Sequence, residues 1–226
     1  MATFVLAHGA WSAAWAWRRM RPLMRESGHD FFAPTYTGLG EKEHLAHAGL
    51  NLETHIADVL GVIEAEELSD VVLLGHSYGG MVISAVASRL GRRIDAICYV
   101  DAFMPDSDQS LWDITGEFEH NWYIDTQRHQ PGYVTPIGSI DFEQVPGVVG
   151  FHPLLTLLEA IPFSGEEKAI AKKSYIFATS YDPTPFAGFA EKAKASGWDY
   201  HETNTDHFVM QNDPDTTVAV LLGLAR

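Results

Sequence analysis

The stretch Val71–Met81, VVLLGHSYGGM, sets four apolar residues directly against a serine fenced by glycines. Val71 to Leu74 read as a strand buried on both faces, as in a parallel sheet. MVISAVASRL, which follows the glycines, places Met81, Val82, Ala85, Val86 and Leu90 at helical spacing, and Gly91 stops the helix. A strand and a helix joined by so few residues force a sharp turn. The G-x-S-x-G pattern puts Ser77 at its strained centre, with the side chain lifted clear of the sheet. Gly75 and Gly79 fit this reading because a Cβ at either place would collide with a neighbouring element. A Gly-rich connection without chemistry is the competing reading; the strand before and the helix after favour a nucleophile.

Upstream, Phe4–Ala7 reads as a short buried strand ending at His8-Gly9, and Ser12–Glu26 has helical spacing closed by Gly28. DFFAP, Asp30–Pro34, is a second strand, followed by the loop TYTGLGEKEH. Leu52, Ile56, Val59, Leu60 and Ile63 make a helical stripe with Asn51 as N-cap. Downstream lies a strand at 96–101, after which the alternation breaks down over residues 103–173, a stretch rich in aromatics and prolines. That span is too long for a simple crossover and is expected to form an inserted cap, with the core made of residues 1–102 and 174–226. The rhythm resumes with a strand at 174–179, a helix near Pro185–Ser196 and a strand at WDYHET. A last helix begins at Asp213-Pro214. Strands alternating with helices predict an α/β fold whose mostly parallel sheet is covered on both faces.

The chain has 226 residues and a formal net charge of −15, from 30 acidic against 15 basic side chains. That balance argues against nucleic acid or an anionic membrane surface as a partner. The single cysteine, Cys98, lies in the apolar run AICYV, which excludes intramolecular disulfides and Cys-based metal sites of the usual spacing. No cluster of His, Asp and Glu has ligand spacing, so neither a metal nor another cofactor is expected. MATFVLAHGAW has no basic region ahead of its apolar residues, and a cytoplasmic protein is the default expectation. No apolar stretch approaches membrane-spanning length. A homodimer is left open.

A serine hydroxyl needs a base, and at neutral pH a histidine is the usual one. Of 11 histidines, His207 stands apart because its loop, NTDHF, follows the last strand. Loops after parallel strands gather at the carboxyl edge of the sheet, where the serine turn also sits. His8 and His76 read as structural, whereas His120, His129 and His152 read as surface or wall residues of the cap. Two backbone N–H groups are needed where negative charge develops. Tyr78, just after the serine, supplies one, and Ala10 in the loop His8-Gly9-Ala10 supplies the other. Trp11, Phe103, Trp112 and Phe208 are candidate pocket walls.

FVLAHGAWSAAWAW, TGLGEKEHL, GHSYGG, AFMPD and DHF together resemble the α/β-hydrolase superfamily. The similarity is greatest to the branch holding plant methylesterases, hydroxynitrile lyases and small bacterial esterases. It spans nearly the whole chain and is weakest in the cap. The resemblance implies a cofactor-free serine hydrolase for small carboxylic esters, aromatic or short-chain. The lyases of that branch carry a threonine at the place of Gly9 and a lysine at the place of Phe208, so esterase is preferred to lyase. Two carboxylates compete for the place of the acid. Aligning Pro185 with the family proline puts Tyr181 where most members keep an aspartate, with Asp182 one residue off. Asp101, in YVDAFMP, occupies the place where haloalkane dehalogenases often keep theirs. Asp101 is the preferred acid and Asp182 the alternative. A lyase, an amide hydrolase or a slow ligand receptor on the same scaffold are the rival functions.

Overall fold

A computed structural model describes residues 1–136, 150–182 and 184–225. The first strand, β1 (Thr3–Ala7), is followed by α1 (Met20–Glu26) and β2 (Asp30–Phe32). Next come α2 (Leu52–Ala65), β3 (Val71–His76), α3 (Gly79–Leu90) and β4 (Ile94–Val100). Among the described residues, the elements between β4 and the later core strands are short: α4 (Leu111–Ile114), α5 (Glu117–Thr126), β5 (Tyr133–Val134), β6 (His152–Pro153), α6 (Leu155–Leu158) and a 3-10 turn at Glu166–Ala169. The chain then returns to the core with β7 (Lys172–Ala178), α7 (Ala187–Ala195) and β8 (Asp199–Thr203), and ends with α8 (Val209–Asn212) and α9 (Pro214–Leu224). Residues 137–149 of the expected cap lie outside the described residues.

Six strands form one parallel sheet in the order β2-β1-β3-β4-β7-β8. Both faces are apolar, as β3 illustrates. Val71 and Leu73 pack into one core with α2 and α3, while Val72 and Leu74 pack into a second with α1 and α9. Alternate side chains of a strand point to opposite faces, so an unbroken apolar run is what burial on both faces requires. The winding direction reverses between β1 and β3, and a crevice opens there at the carboxyl ends of the strands. Ala7, the last residue of β1, pairs with Gly75 of β3, which places the loop His8-Gly9-Ala10 beside the serine turn.

The expected caps are present. The Asn51 side chain accepts from the Thr54 N–H at 3.1 Å, and the Asp213 side chain accepts from the Thr216 N–H at 3.2 Å. Each such cap contributes about 1 kcal/mol to its helix. The helix expected over Ser12–Glu26 is divided into a 3-10 turn at Ala14–Trp17 and α1. Pro22 explains the division: inside a continuous helix its ring would strike the Arg18 carbonyl, whereas in the first turn of α1 it costs little.

Candidate active site

The turn after β3 has the strain that the sequence pattern calls for. Ser77 has φ of 55°, in the left-handed region that residues with a Cβ rarely adopt. Backbone bonds hold it there: the Ser77 N–H donates to Val100 O at 3.3 Å, and its carbonyl accepts from the Phe103 N–H at 3.2 Å. Gly79 permits the close crossing of α3 over β1, since a Cβ on it would lie 2.0 Å from the Ala7 carbonyl oxygen. A Cβ on Gly75 would meet Ile83 at 2.6 Å.

Asp101 caps the end of β4 with φ of 44° and is fully buried. One carboxylate oxygen accepts from the Ala178 N–H at 3.2 Å. The other accepts from His207 Nδ1–H at 2.6 Å. With Nδ1 protonated, Nε2 of His207 carries the lone pair and can accept a proton. Asp182, by contrast, is exposed and is no described partner of His207. Tyr181, at the position where the alternative alignment would place an aspartate, instead lays its ring against the imidazole at 5.3 Å. Phe186 stacks on it at 4.9 Å, and His76 donates from Nε2–H to the His207 carbonyl at 2.9 Å.

Ser77, Tyr78, Ala10 and His207 all line one cavity of about 340 Å³. Trp11, Phe103 and Phe208 line it too. Trp112 does not. It stacks on His120 at 3.8 Å and borders a separate depression with Ile124 and Leu158, because α4 presents it away from the serine. Residues that sequence reasoning passed over complete the wall: Phe118, Trp122 and Tyr123 of α5, with Tyr181 and Phe186. Their signal was aromatic clustering, but nothing in the spacing said which rings would turn inward.

Behind the serine turn lies a buried aromatic layer. The Tyr78 hydroxyl donates to His55 Nδ1 at 3.0 Å, and His55 Nε2–H donates to Thr37 O at 3.2 Å. His8 accepts at Nε2 from the Tyr36 N–H at 3.2 Å and donates from Nδ1–H to Gly9 O at 2.9 Å. Burial lowers both His8 and His55 to about 3, so each is neutral. His76 and His152 are also held well below the ordinary histidine value, chiefly by burial. His8 and His76 are buried, His76 with one edge on the cavity that Ser77 lines, while His152 is buried against Trp11 and Tyr78 and is not at the surface. Among the described residues no group of three or more His, Cys, Asp or Glu could hold a metal ion.

The profile of the alpha/beta hydrolase family matches residues 4–220. A carbendazim hydrolyzing esterase from Nocardioides sp. is 36% identical over 241 residues, covering 99% of this chain and all of that one. Polyneuridine aldehyde esterase from Rauvolfia serpentina is 32% identical over 111 residues, a match spanning 48% of this chain and 41% of that one. An extracellular alpha/beta-hydrolase from a Paenibacillus species superposes with a TM-score of 0.84 over 99% of both chains, at 23% identity. That hydrolase is described as sharing structural and functional homology with tobacco salicylic acid binding protein 2. The crystal structure of polyneuridine aldehyde esterase gives a TM-score of 0.75 at 21% identity, over the full length of both chains. Sheet order, serine turn and full-length similarity agree: the chain belongs to the alpha/beta hydrolase family, in its esterase branch.

Proposed function

We propose that the protein hydrolyses small carboxylic esters through an acyl-enzyme on Ser77. The observation that carries this reading is the 2.6 Å contact from His207 Nδ1 to buried Asp101, in a cavity that Ser77 also lines. Asp101 fixes the tautomer that leaves His207 Nε2 free to take the serine proton. Serine Oγ then bonds to the ester carbonyl carbon, and the carbonyl oxygen becomes an anion. The N–H groups of Ala10 and Tyr78 stabilise that anion. The His207 imidazolium returns its proton to the leaving alkoxide as the ester C–O bond breaks. Water, deprotonated by the same imidazole, attacks the acyl-serine and releases the acid.

The cavity volume and its aromatic walls suit an aromatic or short-chain ester. The described part of residues 103–173 acts as a cap in this reading, supported by the lining contributed by Leu111, Trp122 and Leu157. Hydroxynitrile cleavage is the weaker alternative. A Cβ at Gly9 would sit 2.9 Å from His76 Nδ1 and 3.1 Å from the Ser77 Cβ, so this pocket has no room there for a threonine without a shift. The test is labelling with a fluorophosphonate probe, followed by turnover of an activated aryl ester. Ser77→Ala should lose labelling and several orders of magnitude in kcat while staying folded. Undiminished hydrolysis by the folded variant would sink the mechanism.

A further inference from the structure

The wall that α5 gives to the cavity carries a carboxylate. Glu119, Trp122 and Tyr123 all line the cavity, and their spacing puts them on one face of the helix. Trp122 packs on Trp11 at 4.9 Å, which ties this face to the loop holding Ala10. Glu119 Oε2 accepts from the Gly116 N–H at 3.0 Å and so closes the first turn of α5. Among the described residues none pairs with Oε1, and the described lining contains no lysine or arginine. Across the cavity, the Tyr181 hydroxyl is pushed up, mainly by burial, with the charges of Asp101 and Glu119 adding to the effect.

We propose that Glu119 selects substrates by charge: it favours aryl esters whose ring bears a cationic group and disfavours those bearing a carboxylate. The proposal rests on ester hydrolysis at Ser77 and names the substrate class for that site. Two physical effects act together. A cation a few ångströms from a half-buried carboxylate is attracted and an anion repelled, and no described lining lysine or arginine offsets the field. The aromatic lining, with Trp11, Trp122 and Tyr123 beside Glu119, would favour an ammonium group over an anion wherever a ring face meets it.

The test uses two isosteric pairs. 4-(Trimethylammonio)phenyl acetate and 4-tert-butylphenyl acetate differ by one positive charge; 4-acetoxybenzoate and 4-acetoxybenzamide differ by one negative charge. Glu119→Gln keeps an acceptor for the Gly116 N–H, and Gln serves at this helix position as Glu does. Comparing wild type with the variant cancels the unequal leaving-group reactivities. In the variant the cationic-to-neutral ratio of kcat/KM should fall about tenfold and the anionic-to-neutral ratio should rise severalfold. Both shifts should shrink as salt screens the charge. Unchanged ratios in a folded variant that still turns over 4-tert-butylphenyl acetate would overturn the role of Glu119 alone. If the wild type hydrolyses none of the four and Ser77 is not labelled, the esterase reading fails and this proposal with it.

Discussion

The imidazole of His207 lies flat against the ring of Phe186, with planes 8° apart and centroids 4.9 Å apart. An aromatic face in that position limits the swing of the imidazole while Asp101 holds its Nδ1 edge. Aromatic pairs contribute about 0.5–1.5 kcal/mol beyond the area they bury. Phe186→Leu should therefore lower kcat by roughly threefold to tenfold with little loss of Tm, and Phe186→Tyr should restore it. Equal kcat for the wild type and Phe186→Leu would show that the stacking does not position the base.

Asp101 and Asp182 can be separated by matched substitutions. Asp101→Asn places an amide beside His207 Nδ1 and favours the tautomer that cannot accept the serine proton. On the scale seen for this change in serine protease triads, kcat should fall by about ten-thousand-fold. Asp182→Asn, at an exposed turn, should cost roughly tenfold or less. Both variants are to be assayed at neutral pH on one activated ester, with folding checked by circular dichroism. The reverse ranking would move the acid to residue 182.

Gly9→Thr should not create a lyase. Its Cβ would press on His76 and Ser77, and overpacking of this kind costs about 1–3 kcal/mol. Tm and ester turnover should both fall, and neither this variant nor the wild type should release cyanide from mandelonitrile above the buffer background. Enzyme-dependent release rivalling ester turnover would reverse the choice between the two chemistries.

Stability should fall steeply in mild acid. His8 and His55 titrate at about 3 in the folded chain, against an ordinary value of 6.5. Between those values the unfolded chain binds more protons than the folded one, so stability is lost as pH falls from about 6.5 towards 3. Each such histidine steepens the loss by about 1.4 kcal/mol per pH unit. His152 is displaced in the same direction, and its Nε2 is buried without a described partner. His152→Phe should flatten the dependence of unfolding free energy on pH below about 6.5. An unchanged slope in denaturant titrations would mean that His152 does not resist protonation in the fold.

Sequence alone determined the frame of this protein. VVLLGHSYGGM specified a strand buried on both faces, a strained serine and a packed helix, because each property is local: side-chain alternation, backbone sterics, helical spacing. Asn51 and Asp213 announced their helices for the same reason. The position of His207 after the last strand followed from the rule that such loops share one edge of a parallel sheet. The pairing of His207 with Asp101 was another matter. The two residues are 106 positions apart, and only the placement of β4 beside β7 decided which of two nearby carboxylates faces the imidazole. The cavity walls were likewise beyond local reading. The short helices between β4 and β7 have no strong periodicity, so their orientation is set by contacts with the core. Those contacts turned Trp122 inward and left Trp112 stacked on His120 outside the cavity.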